Sequence, residues 1–432
     1  DMAGMIEVVK NAFKVGDLRK KIFFTIMMIV IFRLGARIPV PGIDKQKLGE
    51  LFGTGLADYM NLLSGNALRN MTIFAMSITP YINASIIMNL LTVAIPKLEQ
   101  LAREGEEGRK VIAQWTRYLT VILAFIQSLA LYMQINSDGA LIGGSNPWNF
   151  ITITISFTAG TAFLMWLGEQ ITEHGIGNGI SLIIFSGIVS AGPAGYEALR
   201  VQFMNFQGRY NVIIASLLIG LILLVFLAVI TAVVWVTQAE RRIPIQYAKR
   251  VIGRKMYGGQ SSHLPIKVNL AGVIPIIFAM SFMMFPPTIT MYFFRDSDNP
   301  FIDFINNIHK SYLHPAIYAV LIIAFTFFYT YIQFNPIEVA NNLKKNGGFI
   351  PGIRPGKPTS DYIARVLNRI TWFGGFFLAA VTVFPSIVGI ATNVENVWFA
   401  GTSVLILVGV AIDTVKQIES QMLMRHYKGF LE

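Results

Sequence analysis

The sequence predicts an all-α membrane protein of ten transmembrane helices arranged as two inverted five-helix halves. Three observations point there. Between Ile22 and Ile412 about ten apolar stretches, each near the roughly 20 residues that cross a bilayer as helix, hold almost no ionisable side chain. The chain is 54% hydrophobic and only 14% charged, where a soluble domain is about a quarter charged. Once the stretches are threaded through a bilayer, the basic residues between them fall overwhelmingly on one side.

The predicted spans are residues 21–38, 71–95, 118–135, 150–171, 176–191, 212–236, 270–292, 312–334, 371–391 and 398–412. The fifth and tenth are short. The runs are continuous, not alternating, which argues against a strand barrel. The start, residues 1–21, is polar, and no small-residue cleavage site follows the first span, so no cleavable leader is expected. Arg33 and Arg37 sit at the far end of that span, where long cationic side chains snorkel to the interface.

Residues 44–70 precede the second span. They are too polar to cross, yet Met60-Asn61-Leu62-Leu63-Ser64-Gly65 is amphipathic and rich in small residues. It reads either as an outer surface loop or as a short element folded back into a cavity. Irregular backbone at membrane depth is tolerated only inside protein or a wet vestibule. Pro80, Pro275, Pro286 and Pro385 fall within spans, where proline bends a helix and frees a carbonyl. Pro80 and Pro275 stand among isoleucines, in Ile78-Thr79-Pro80-Tyr81-Ile82 and Ile274-Pro275-Ile276-Ile277. Ordinary lipid-facing packing is the plain reading of those runs.

Two long basic loops follow, at 238–267 and 335–369. In the first, the run from Arg241 to Arg250 alternates as an exposed hairpin strand does, and Arg254-Lys255 continues the charge. In the second, Gly347-Gly348-Phe349-Ile350-Pro351-Gly352-Ile353-Arg354-Pro355-Gly356 is a structured turn with Arg354 near its tip. Loops of about 30 residues in a compact membrane protein are usually functional. Anchoring to anionic lipid explains their charge but not their turn chemistry.

With the N-terminus in the cytoplasm, 26 of the 35 Lys and Arg lie on the cytoplasmic side and 7 on the other, with Arg33 and Arg37 closing the count. Both termini are therefore expected inside. The net charge of +11 is concentrated on one face, which favours anionic headgroups, an acidic protein or ribosomal RNA. Five spans fall in residues 1–194 and five in 195–432. An odd number per half inverts the second half relative to the first and places a site where the halves meet.

Several function classes lack their chemistry. There is no phosphate-binding G-x-x-x-x-G-K-[ST] run and no H-E-x-x-H. The five histidines, His174, His263, His309, His314 and His426, are scattered in or beside loops, so no metal is expected. No hydrolase motif forms, and with no cysteine there is no thiolate site. No cofactor is expected, and the chain does not read as an enzyme. The spans carry too few ionisable groups for an ion-coupled carrier. Energy must come from a partner.

Five stretches carry a resemblance that runs the length of the chain: 72–91 (TIFAMSITPYINASIIMNLL), 166–184 (WLGEQITEHGIGNGISLII), 237–268, 335–356 and 417–431 (QIESQMLMRHYKGFL). They are similar to the bacterial SecY family of protein-translocation channels. The resemblance implies a ten-helix clamshell in the cytoplasmic membrane. Such a channel passes unfolded secretory chains across and releases hydrophobic segments sideways into lipid.

Site residues carried over by the resemblance fall into four groups. A pore ring is implied at Ile78, Ile82, Ile180, Ile184, Ile277 and Ile406. A plug corresponds to 57–70, with Met60, Leu62, Leu63, Ser64 and Gly65. A lateral gate involves Asn83, Gln127 and Phe285. Arg354, with Arg241, Arg242, Lys249, Arg250, Arg254 and Lys255, forms the docking surface for the SecA motor ATPase or a translating ribosome. Implied partners are the small subunits SecE and SecG, secretory and membrane-protein precursors, and membrane lipids.

The residues themselves agree with those roles. An apolar constriction dewets and blocks ions without a charged gate. Isoleucines four apart share a helix face. This chain departs from the family pattern at Ser77, where glycine is expected, at Thr79 for methionine and at Asn89 for glutamine. In the plug, Gly65-Asn66 replaces two glycines, and Asn70-Met71-Thr72 is variant. Two other readings remain: a substrate-specific carrier, which predicts polar groups at mid-membrane, and a docking scaffold, which predicts that the isoleucines tolerate polar replacement without leak.

Overall fold

The structure is a computed structural model that describes residues 12–44, 67–68, 70–137, 139–209, 211–247, 250–252, 255–257, 261–293, 299–306, 308, 313–392 and 401–428. Fourteen helices run through these residues. They are α1 (Gly16–Gly35), α2 (Thr79–Ala94), α3 (Pro96–Arg103), α4 (Glu106–Ser137), α5 (Pro147–His174), α6 (Gly179–Ser190), α7 (Gly192–Arg209), α8 (Val212–Gln238), α9 (Ile274–Phe293), α10 (Pro300–Asn306), α11 (Leu313–Gln333), α12 (Pro336–Lys345), α13 (Lys357–Thr392) and α14 (Gly401–Lys428). Each of the ten predicted spans contains one of α1, α2, α4, α5, α6, α8, α9, α11, α13 and α14. Some helices outrun their spans. The 36 residues of α13 measure about 54 Å, well beyond a hydrocarbon core of about 30 Å.

By contacts the chain forms two compact units. The first holds Asp1–Gly208, Met280–His314 and Val410–Glu432; the second holds Arg209–Ala279 and Pro315–Gly409.

In the first unit the second span differs from expectation. Helix begins only at Thr79, and the preceding residues are turns. The reason is backbone geometry. Met71 and Ser77 adopt φ of 45° and 52°, left-handed values that interrupt a right-handed helix. Pro80 then sits in the first turn of α2, where its missing N–H costs nothing. Pro80 therefore starts a helix and does not bend one. Pro275 does the same at the second residue of α9, whereas Pro286, Pro287 and Pro385 lie inside helices.

The turn segment is buried inside protein, as its polar backbone requires. Val40 N–H donates to the Met71 carbonyl at 2.9 Å, Ile73 N–H to Ile38 at 3.1 Å and Thr72 N–H to Ala67 at 3.0 Å. Met71, Ala75 and Met76 pack with Leu131, Tyr132 and Ile135 of α4 and with Ile153 and Phe157 of α5. The Phe74 ring stacks between Phe32 and Phe163, with centroids 6.0 Å from each. Gly35 and Gly160 leave room for this segment: a Cβ on Gly35 would strike the Phe74 ring, and one on Gly160 the Ile73 carbonyl.

Ser77 holds a conformation that glycine adopts without the steric penalty. Ser77→Gly is expected to stabilise the protein by about 1 kcal/mol, the left-handed penalty less the added chain entropy. A higher apparent Tm in detergent is the readout; an unchanged or lower Tm would mean that the serine hydroxyl offsets the backbone cost.

In the second unit the strands β1 (Glu240–Tyr247), β2 (Arg250–Ile252), β3 (Lys255–Tyr257), β4 (Ser261–Lys267) and β5 (Gly348–Phe349) form two small sheets. β1 pairs antiparallel with β4 from Glu240↔Lys267 to Gln246↔Ser261, and with β5 through Gln246↔Phe349 and Tyr247↔Gly348. β2 and β3 make a separate antiparallel pair. The expected strand is present, but it is exposed on one face only: Ile243 and Ile245 point into a core.

Candidate functional site

The four isoleucines expected in the first half all belong to the first unit. Ile78 is the N-cap of α2, and Ile82 N–H donates to its carbonyl at 3.1 Å, so the pair stands one turn apart. Both side chains are buried. Ile180 and Ile184 stand one turn apart on α6, with Ile184 buried and Ile180 half-buried.

A tight turn between α5 and α6 sets the position of that second pair. Gly177 takes φ of 88°. The Asn178 side chain caps α6 by accepting from Ser181 N–H at 3.2 Å. Thr172 Oγ1 accepts from Gly179 N–H at 2.9 Å, and Thr25 Oγ1, on α1, accepts from Ile176 N–H at 3.0 Å. The start of α6 lies against α5 so closely that a Cβ on Gly179 would fall on the Gly168 carbonyl oxygen, and one on Gly168 would meet Ile180 at 3.3 Å. Gly179→Ala must force these helices apart. A loss of about 2–3 kcal/mol is expected, typical of overpacking, and should appear as reduced membrane abundance and a lower apparent Tm. Unchanged values would mean that α6 shifts freely.

Ile277 and Ile406 belong to the second unit, and both are buried. Ile277 lies in the first turn of α9, where its N–H donates to Val273 at 3.2 Å. α14 seats against the same residue, because a Cβ on Gly409 would strike Val273 Cγ1. The six isoleucines thus divide four and two between the units.

Asn83, Gln127 and Phe285 lie on α2, α4 and α9. Asn83 is buried, and the other two are half-buried. All three fall in the first unit, because the part of α9 from Met280 onward joins it. α2 packs along α4. An exposed ion pair, Arg117 Nε to Glu169 Oε1 at 2.7 Å, ties α4 to α5. Its members are 52 residues apart, so no local pattern announces it. The plug residues Met60, Leu62, Leu63, Ser64 and Gly65 lie outside the described residues.

The two basic loops form one body. Ile243 and Ile245 of β1, Ile266 of β4, Leu343 of α12, Ile350, and Ile363 and Leu367 of α13 share a single apolar core. The early start of α13 follows from this, because its first turns belong to that core. Asn335 caps α12 by accepting from Ile337 N–H at 3.1 Å, and Gly347, at φ of 70°, turns the chain into β5. The turn carrying Arg354 is anchored at Ile350, passes Gly352 and Gly356 at φ of 81° and 100°, and closes where Thr359 Oγ1 donates to the Arg354 carbonyl at 2.8 Å.

Arg354, Arg241 and Arg242 are exposed on this body. Arg242 is paired with Glu240 at 2.7 Å. Arg250 and Lys255 fall in β2 and β3; Lys249 and Arg254 lie outside the described residues. Among the described residues, no group of three His, Cys, Asp or Glu is placed to hold a metal ion.

The SecY family model matches residues 72–415. The chain belongs to the SecY family. A SecY protein translocase subunit from Halalkalibacterium halodurans is 48% identical over 437 residues, covering 99% of this chain and all of the relative. Those of Bacillus subtilis and Streptomyces coelicolor are each 45% identical at the same coverage. Among solved structures, one described as a protein conducting channel superposes with TM-score 0.64 at 20% identity, over 93% of this chain and 92% of the other. Sec61 from a canine ribosome-channel complex gives TM-score 0.60 at 18% identity, over the same shares. The SecY fold thus extends to distant relatives, and the ten helices of this chain are those of the family.

Proposed function

We propose that the chain is the channel subunit through which unfolded polypeptides cross the bacterial cytoplasmic membrane, sealed by a ring of isoleucines and driven by a partner docked on its basic body. The chain is a SecY-family protein-conducting channel. The observation that carries the finer reading is the chemistry of the six ring residues. All are aliphatic, five are buried, and they stand on or beside helices fixed by close glycine contacts. Such a ring excludes water and ions, and it gives a sliding polypeptide no hydrogen-bonding group to hold it.

The remaining roles follow from the same reading. Residues 1–194 and 195–432 are the two inverted halves, with both termini and the basic body in the cytoplasm. The segment 57–70 is the plug. Asn83, Gln127 and Phe285 mark the lateral gate, through which a hydrophobic segment chooses lipid by partition, at about 0.5 kcal/mol per favourable residue. SecE and SecG complete the complex, and SecA or a ribosome docks on Arg354, Arg241, Arg242 and their basic neighbours. The 26-to-7 distribution of Lys and Arg supports the orientation.

The chain has no cysteine, so one introduced by Ile82→Cys is unique. Paired with a single cysteine in a stalled secretory chain, it should form a disulfide only when SecA or a ribosome engages the complex. A stalled chain that engages the basic body yet forms no disulfide would place the path elsewhere.

A further inference from the structure

We propose that the exposed face shared by α13 and the neighbouring end of α11 holds one anionic phospholipid, with its phosphate on Arg365 and Arg369 and its acyl chains on an aromatic shelf. Arg365, Arg369, Trp372 and Phe376 follow one another at steps of four, three and four residues, so they line one face of α13. All four are exposed, Trp372 by 46% and Phe376 by 58%. The charge ends and the aromatics begin within a single helical turn.

The shelf is built across two helices of the second unit. α11 comes so near α13 that a Cβ on Gly375 would lie 3.6 Å from the Ile323 Cα. Phe327 then meets Trp372 edge-on, with centroids 4.9 Å apart. Trp372 stacks with Phe376 at 5.4 Å, and Phe327 with Tyr331 at 6.5 Å. Both helices are long and apolar enough to cross a membrane, and Trp and Tyr rings settle at its headgroup level.

An aromatic belt alone needs no cations, yet two stand at its edge. Neither Arg365 nor Arg369 makes an ion pair among the described residues, not even with Asp361 one turn earlier. Their forks are left for an acceptor outside the chain, and a phosphate matches that geometry. A soluble acidic partner would answer the arginines and leave the shelf in water. A neutral lipid would cover the shelf and leave the charge unanswered. An anionic phospholipid satisfies both. On the opposite face of the same turns, Ile363 and Leu367 belong to the core of the basic body. A lipid held here therefore fixes where that body meets the bilayer.

The test is native mass spectrometry of the full chain in detergent, titrated with phosphatidylglycerol or phosphatidylcholine of matched chains. One phosphatidylglycerol should be retained in preference, and Arg365→Gln with Arg369→Gln should weaken it about tenfold or more. Trp372→Leu with Phe376→Leu should weaken both lipids. Glycerol phosphate, which carries the anion without chains, should not displace the bound lipid. Equal retention of the two lipids, or a preference that survives loss of both arginines, would overturn the site. Unchanged binding without the aromatics, or displacement by glycerol phosphate, would reduce it to a simple anion contact and overturn it too. In native membranes, a photocrosslinking phenylalanine in place of Phe376 should capture phospholipid. Capture of a protein there would give the shelf a different occupant and overturn the proposal.

Discussion

Replacing Ile82 and Ile184 together with asparagine is expected to make the resting channel leak ions, with single-channel or macroscopic conductance in planar bilayers rising at least tenfold. The two side chains sit on different helices, α2 and α6, and both are buried. Each is locked from behind. Ile82 follows a buried turn segment pinned to α1, α4 and α5, and α6 lies on the Gly168 carbonyl. Neither helix can rotate to hide a new amide, so the amides stay where the proposed ring would close. An amide carries two donors and an acceptor, and leaving these unsatisfied costs about 1–3 kcal/mol each. Water entering the ring removes that cost. A shift of about 1.4 kcal/mol in favour of the wetted state is already tenfold in its population. Leucine at the same two positions keeps the constriction dry and serves as the control. A double-asparagine channel that folds, assembles and stays silent would show that the seal does not reside in these isoleucines.

How far the sequence revealed this molecule depended on the range of the interactions involved. Charge-free runs and the bias of Lys and Arg are local signals, so all ten helices and their approximate bounds were legible. Arg241–Tyr247 showed its strand alternation for the same reason. The second span misled because Met71–Ile78 is as apolar as a helix, yet two left-handed residues and Pro80 delay the helix to Thr79. Ser77 in a glycine position was the available signal. The union of the two basic loops was hidden, because Ile243 and Ile363 are brought together by a sheet whose strands lie about a hundred residues apart in the chain. The Arg117–Glu169 pair and the Thr25–Ile176 bond were invisible for that reason too. The roles of the isoleucines came from resemblance; hydropathy marks an apolar helix but does not tell which face meets a pore.

Arg354→Glu is expected to lower motor-driven translocation at least a hundredfold while leaving the fold intact. The fold survives because the turn is held from beneath. Ile350 is buried, Thr359 holds the Arg354 carbonyl, and the glycines on either side of the tip take the left-handed angles. The Arg354 side chain contributes to none of these, and an exposed substitution of that kind costs within about 0.5 kcal/mol. Its guanidinium is exposed, and on the proposed docking role it would pair bidentately with a carboxylate or phosphate of the partner. Lysine keeps the charge but not the fork, so Arg354→Lys should fall between wild type and Arg354→Glu. The same reasoning ranks the neighbours. Arg242 is half-neutralised by Glu240 at 2.7 Å, whereas no ion pair is seen for Arg241 among the described residues, so Arg241→Glu should cost more transport than Arg242→Glu. Proteoliposome import with SecA and ATP measures all four variants. Raising the salt should weaken wild type and Arg354→Lys together, since salt screens the charge that both keep and leaves the fork geometry untouched. Normal import by a folded Arg354→Glu protein would remove the turn from the docking surface. Motor binding retained with import lost would assign Arg354 to transmitting the stroke and not to holding the motor.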